Sequence, residues 1–501
     1  MKRFVVAVAL LVAGYRLPGI NAGNWQLATG NSVFAQVAEQ TTPPAPSAPR
    51  QPHIPTPVEK TLANGLRVVV VETHNVPLVS ARLVIKTGGE ADPAGRAGVA
   101  DTTASLLTKG TTTKSAEAIA QGVEALGATL TSGAGFDASN VDLNVMSPKL
   151  PEAMAFLADV VRHPTFRKDE IERQKAQTID ALNVDLSDPD ALARFVVSRV
   201  VFGDTPYGHN LSGTPESIAR ITRDDVTKFH RRYYRPDNAV LVMAGEVKAA
   251  DAFALAQKLF GGWTGTGPKP AMAKAKALPS KSQVVVVDMP DAGQAAVYVA
   301  RAGLRRADPS YLAAQVANAV LGGGYSARLN EEVRIKRGLS YGAGSSFEFR
   351  RDVGPFTASA QTKNESAAEV AGIIVDEMNR MATASVEETE LTPRKATLIG
   401  DYARGIETSR GLVRRLSALA LYGLPLGEIS SYITGVQGIN AEQVREVSKS
   451  SFAGGPVDVI IVGDAKKFLE PLKARFKDVE VIPAGELDLN AATLRKSRAA
   501  S

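Results

Sequence analysis

Apolar residues recur with two alternating periods along this chain, and each change of period marks a new element. Leu66–Val71, a β-branched run after the turn pair Asn64-Gly65, reads as a strand, and Leu78–Lys86 as a second. Helical spacing predicts helices over Gly98–Lys109 and Ser115–Leu126, the latter with Ser115 as N-cap and Gly127 closing it. Thr, Val and Leu alternate through Ala128–Val145 as in a hairpin. Helices are expected at Pro151–Arg162, Lys168–Val184, Asp188–Val201 and Arg223–Tyr233, before an apolar strand at Asn238–Ala244. Strands and helices mix without strict alternation, which makes the class α+β.

Residues 264–283, rich in Gly, Pro, Ala and Lys, interrupt this pattern with a linker composition. The succession of elements then restarts. Strands are expected at Gln283–Val287, Ala295–Ala300, Leu339–Phe349, Pro355–Gln361 and Val457–Val462. Helices are expected at Tyr311–Leu321, Ser366–Met381, Glu387–Thr408, Arg410–Leu421 and Ala441–Ser451. The halves align by residue. Ile85–Pro93 matches Ala300–Pro309, and Ala239–Gly245 matches Val457–Gly463. The expectation is a duplicated α+β domain, in copies over 58–263 and 284–480, joined by the linker. A proline-rich spacer (36–57) precedes them and a flexible basic tail (481–501) follows.

With 501 residues, 44% of them apolar, the chain can fill more than one core. Its net charge of +6 is scattered, with no basic run interleaved with aromatics, so no nucleic-acid partner is expected. The absence of cysteine excludes disulfides, thiolate metal sites and Cys nucleophiles, and suits an oxidising compartment. Lys2 and Arg3 precede an apolar run, Phe4–Gly14, too short for a bilayer span of about 20 residues. It has the form of a secretory signal ending at Ala22 or Ala35, the latter giving a signal peptide over 1–35. The alternative is an uncleaved anchor. No later segment reads as a membrane span, and the expected location is periplasmic or secreted.

The chemistry turns on residues 98–111, Gly-Val-Ala-Asp-Thr-Thr-Ala-Ser-Leu-Leu-Thr-Lys-Gly-Thr. This frame resembles the zinc helix of the pitrilysin/insulinase family of metallopeptidases, where a His-x-x-Glu-His core precedes a Lys-Gly-Thr exit. Here Asp101 and Ser105 stand at the two His positions and Ala104 at the Glu position. Two imidazoles at i and i+4 share one helix face and bind one zinc, and the Glu deprotonates its water. The family's third ligand, a later Glu, falls at or beside Ala181. None of the five histidines, His53, His74, His163, His209 and His230, has another four residues away. Asp101 with Asp180 could hold a hard cation, or the two could simply face solvent.

The second half keeps a different piece of the family. Leu321–Leu329, Leu-Gly-Gly-Gly-Tyr-Ser-Ala-Arg-Leu, and Arg334–Tyr341, Arg-Ile-Lys-Arg-Gly-Leu-Ser-Tyr, resemble its glycine-rich segment and Arg/Tyr element. The openings at Leu62–Val68 and Leu126–Leu130, the Pro206–Thr214 loop and the Tyr234–Asn238 turn extend the resemblance over about residues 58–480. It implies two metallopeptidase-like domains, each a mainly antiparallel sheet packed with helices. It also implies that Arg334 and Tyr341 bind substrate near the scissile carbonyl and stabilise developing negative charge. Without the resemblance, Arg334 reads as a solvated helix residue and Tyr341 as a packed strand residue. The expected function is a non-catalytic subunit without its own cofactor. It pairs with a zinc-bearing homologue and takes an unfolded peptide along the edge at Ala128–Gly135. The alternatives are a non-proteolytic binding or scaffold subunit, and a peptidase with an unusual metal.

Overall fold

The computed structural model describes residues 54–271, 282–453 and 455–496. The signal, nearly all of the proline-rich spacer and the middle of the linker lie outside the described residues. The first half contains strands β1 (Val58–Thr61), β2 (Arg67–Glu72), β3 (Leu78–Ile85), β4 (Thr129–Ala134), β5 (Ser139–Met146) and β6 (Ala239–Gly245). Its helices are α1 (Val99–Leu106), α2 (Ala116–Ala125), α3 (Leu150–Arg162), α4 (Lys168–Ser187), α5 (Pro189–Phe202), α6 (Pro215–Arg220), α7 (Arg223–Tyr233) and α8 (Ala249–Phe260). The second half contains β7 (Val284–Asp288), β8 (Ala295–Ala302), β9 (Ala343–Phe347), β10 (Pro355–Thr362), β11 (Asp458–Gly463) and β12 (Val479–Pro483). Its helices are α9 (Tyr311–Leu321), α10 (Arg328–Asn330), α11 (Ala367–Thr383), α12 (Glu388–Ile406), α13 (Ser409–Leu421), α14 (Glu428–Gly438), α15 (Ala441–Ser448) and α16 (Leu469–Arg475).

Each half forms a six-stranded mixed sheet. The orders are β1-β2-β6-β3-β5-β4 and β12-β7-β11-β8-β10-β9. Five strands correspond one to one, including the parallel pairs β2/β6 and β7/β11 and the antiparallel run to the edge hairpin. The sixth position differs. It is filled by the antiparallel opening strand β1 in one sheet and by the late parallel strand β12 in the other. Two α+β copies with mainly antiparallel pairing are therefore present, as the sequence implies.

The central strands read as unbroken apolar runs because both of their faces are covered. Val240 and Val242 of β6 belong to one core, and Leu241 and Met243 to another on the opposite face. Val297 and Val299 of β8 divide from Ala296 and Tyr298 in the same way. The cover is reciprocal between the halves. Helix α5 of the first half lies on β8 and β11, and α13 of the second lies on β3 and β6. Neither half closes its core alone.

The segment expected to be a flexible tail is packed through residue 496. Leu494 is 4% exposed, Leu487 and Leu489 lie against the third core, and Arg199 donates to the Leu489 carbonyl at 3.0 and 3.2 Å. Apolar residues at 487, 489 and 494 drive this docking and outweigh the basic composition. Among the described residues no helix is long and apolar enough to cross a membrane.

Candidate functional site

Helix α1 starts at Gly98, which adopts φ +97 with Ile218 and the Ser212 carbonyl close against it. No side chain caps α1 from its own N-cap position. Instead Asp92 accepts from the backbone N–H groups of Gly98 and Ala100, both at 2.7 Å. A carboxylate at the positive end of a helix is favourably placed. Asp101 and Ser105 share one partly open face of α1, while Ala104 is fully buried against the core. Burial, reinforced by the neighbouring Asp92 charge, raises the Asp101 carboxyl to about 6.

These residues do not fit zinc. Only Asp101 offers an anionic oxygen, Ser105 offers a neutral hydroxyl, and Ala104 and Ala181 have nothing to coordinate with. Ala181 and Asp180 are exposed on α4, which packs against α1. Among the described residues no three His, Asp or Glu side chains converge to hold a metal ion, so Asp101 and Asp180 recruit no third donor. The histidines serve elsewhere. His209 faces Asp92 at 3.3 Å, and His230, its ring pushed down to about 4 by burial, meets the Val161 carbonyl at 2.8 Å.

Strand β4 is the outer edge of the first sheet, pairing with β5 alone. The Ser132 hydroxyl donates to the Ala104 carbonyl at 2.7 Å and holds this edge beside α1. The substrate-pairing segment expected at Ala128–Gly135 is thus a sheet edge with no strand along its outer side, where Asp101 already accepts from the Ala134 N–H.

The second half assembles a different constellation. Arg328 is nearly buried and grips Glu390 through two nitrogens at 2.7 and 3.0 Å, fixing α10. Asn330 donates to the Tyr325 carbonyl at 2.5 Å and accepts from Ala343 N at 3.2 Å, tying the glycine-rich loop to the start of β9. Gly322 is required at that junction, since a Cβ there would lie 2.3 Å from Ser345 N. A π-helical turn, Glu331–Ile335, follows α10 and carries Arg334. The chain turns at Gly338 (φ +63), and Thr362 holds the Leu339 carbonyl at 2.6 Å.

The outcome is that Arg334 and Tyr341 line one open cleft of about 840 Å³, together with Asp190 from α5 and Lys363 beyond β10. Tyr341 is 90% exposed. It is therefore not the packed strand residue that the bare sequence also allowed. The Arg334 guanidinium lies 4.9 Å from the Tyr325 ring, an exposed stacking partner that orients it without neutralising it.

A buried polar clasp was not foreseen. Glu90, Asp137 and Tyr207 of the first half receive the β9–β10 loop of the second. Arg351 donates to Glu90 at 3.1 Å, to the Asp137 carbonyl at 2.8 Å and to the Lys86 carbonyl at 3.0 Å. Its backbone N–H reaches the Asp137 carboxylate at 2.6 Å, which also accepts from the Tyr207 hydroxyl. The Arg350 guanidinium stacks 3.9 Å from the Phe136 ring. Desolvation raises Glu90 to about 7, against the pull of Arg351. The paired arginines at 350 and 351 were the only signal in the sequence, and nothing there names their partners.

A two-domain metallopeptidase fold whose zinc helix lacks a set of zinc donors is the class that these features define. Comparison with known proteins agrees. Residues 67–215 match the insulinase (peptidase family M16) model, and residues 220–398 match the peptidase M16 inactive domain model. The chain belongs to the insulinase family, peptidase family M16. An uncharacterized zinc protease of Mycobacterium tuberculosis is 29% identical over 78% of this chain and 90% of its own length. A non-peptidase homolog of Helicobacter pylori is 23% identical over 80% of this chain and 92% of its own. Among solved structures, a peptidase M16 inactive domain from Pseudomonas fluorescens superposes with a TM-score of 0.77 at 29% identity, covering 81% of this chain and 98% of that one. A protease from Helicobacter pylori shares the fold, with a TM-score of 0.78 at 20% identity, covering 82% of this chain and 100% of that one.

Proposed function

We propose that this chain is the non-catalytic subunit of a two-chain, secreted or periplasmic zinc endopeptidase. The metal and its general base belong to a homologous partner. This chain forms one wall of the peptide chamber and contributes Arg334 and Tyr341. The observation that carries the reading is the contrast between the halves. The α1 face holds no set of metal donors, whereas Arg334 and Tyr341 stand together in an open cleft, with the Tyr341 hydroxyl unbonded to any described residue.

The pair would donate to a peptide carbonyl and to the oxyanion that develops on it, while a zinc held by the partner would supply activation of the attacking water. A guanidinium and a phenol both donate toward oxygen, and each such donor contributes most when the negative charge is fully developed. The β4 edge supplies backbone groups to which an extended peptide can add as a further strand. The partner supplies the zinc, and the substrate is an unfolded peptide.

Co-expression with a zinc-bearing homologue tests this. The expected result is a stable heteromeric complex on size-exclusion chromatography that cleaves peptides, with zinc present and cleavage abolished by a chelator, while this chain alone is inert. Chelator-sensitive cleavage by the isolated chain would refute the assignment. A complex that forms but has no activity would favour the scaffold alternative.

A further inference from the structure

The end of α3, one face of α7 and the 262–266 loop enclose a second cavity of about 430 Å³, separate from the Arg334 cleft. Arg223, Thr227 and Arg231 recur at helical spacing, so a single face of α7 looks into it. Arg162 enters from the last turn of α3. No Asp or Glu lines the cavity.

Two of the guanidinium groups are oriented by neutral partners. Arg162 Nη1 donates to the Leu259 carbonyl at 2.6 Å. Arg223 donates through Nε to the Phe166 carbonyl at 2.7 Å and through Nη2 to the Thr165 carbonyl at 3.0 Å. Among the described residues none of the three arginines forms an ion pair, and the Arg231 side chain makes no hydrogen bond. The nearby Asp159 is already engaged by Lys114 and His163, each at 3.2 Å. Three arginines therefore line one cavity that no carboxylate lines.

The walls are built to hold that arrangement. Arg235 Nη1 donates to the carbonyls of Thr266, Gly267 and Pro268 at 3.1, 3.1 and 2.9 Å, fixing the loop. His230 stacks on Tyr234 with centroids 4.7 Å apart. Phe166 is held at φ +47, in the left-handed region, and its carbonyl is the one that orients Arg223. Strain at a buried bulky residue persists only where the surroundings over-determine it, and it concentrates at ligand-holding sites.

Guanidinium forks match the oxygens of a tetrahedral oxyanion, and partial enclosure strengthens the attraction. We propose that this cavity binds a phosphate group, as inorganic phosphate or as the phosphomonoester end of a small molecule, gripped by Arg162, Arg223 and Arg231. The cavity falls within the range for small-molecule sites, about 300–1,000 Å³, leaving space for more than the phosphate itself.

Isothermal titration calorimetry of the full chain with inorganic phosphate and with a sugar monophosphate, at constant ionic strength set by sodium chloride, tests the site. The expected result is saturable one-to-one binding that Arg231→Ala weakens at least tenfold. Arg231 is exposed and holds no side-chain partner among the described residues, so its removal leaves the fold intact, which circular dichroism checks. Arg414→Ala, an equal loss of charge on α13, leaves binding unchanged. Tighter binding of the sugar phosphate identifies the ligand as a phosphomonoester, and equal binding identifies it as phosphate; either supports the site. No saturable heat with either ligand, or equal weakening by Arg231→Ala and Arg414→Ala, overturns it.

Discussion

Glu90 joins the halves, and its ionisation makes the join sensitive to pH. Its side chain is 3% exposed, with Arg351 at 3.1 Å and the Gly88 N–H at 2.8 Å. Burial outweighs both and lifts the carboxyl from the ordinary 4.5 to about 7. The folded protein therefore binds a proton more tightly than the unfolded chain. The stabilisation is complete below about pH 4.5 and is lost as pH rises through about 7. At about 1.4 kcal/mol per pH unit, that shift corresponds to roughly 3 kcal/mol. Glu90→Gln removes this contribution, so the wild-type stability falls more steeply than that of the variant between pH 5 and 8. Urea denaturation midpoints across that range, followed by tryptophan fluorescence, measure the difference. Comparing variant with wild type cancels the other groups that titrate there, including Asp101 and Asp458, both raised to about 6, and His230, lowered to about 4. Arg351→Met gives the companion test. It costs about 3–5 kcal/mol at pH 8, where a buried carboxylate loses its cation. At pH 5 the cost falls to about 1–3 kcal/mol, that of carbonyls left unpaired. Parallel stability profiles for Glu90→Gln and wild type would refute the reasoning.

Other parts of the molecule give sharp expectations. Gly322→Ala forces a Cβ to within 2.3 Å of Ser345 N and should lower stability by about 1–3 kcal/mol, read by thermal unfolding, while displacing the Arg334 loop. Tyr341→Phe, at a 90% exposed site, should change stability by less than about 0.5 kcal/mol, so any functional effect is chemical. Arg199→Ala removes both bonds to the Leu489 carbonyl and should expose the segment after Pro483 to limited proteolysis, which intact-mass spectrometry detects.

The elements most legible in the sequence were those with their own punctuation. Helix α7 matches its expected bounds because Thr222 and Asp225 form a reciprocal cap, and α2 begins where Ser115 accepts from Ala118 N. The run Leu339–Phe349 read as one strand, yet only Ala343–Phe347 pairs. Gly338 turns the chain, and Ser340 bonds the Gly342 carbonyl instead of a neighbouring strand. Helix α14 was missed because Ile433, Thr434, Gly435 and Val436 are weak helix formers, and packing of Ile429, Tyr432 and Val436 overrides them. The reciprocal cover by α5 and α13 and the clasp at Glu90 depend on contacts between segments far apart in the chain, 261 positions for Glu90 and Arg351, which local periodicity does not encode. At the site, the Arg334 and Tyr341 spacing was visible, as was the replacement of the zinc donors. Their common cleft, and Asp190 from the other half beside them, emerged only from the fold.

The central claim is that this chain lends Arg334 and Tyr341 to a metal held by another chain. Steady-state peptide hydrolysis by the complex with its zinc-bearing partner, comparing the wild-type subunit with Arg334→Ala and Tyr341→Phe, tests it most directly. The account predicts an intact complex with unchanged zinc content and kcat reduced about 10²–10³-fold by loss of a transition-state donor. Unchanged kcat in both variants would contradict it.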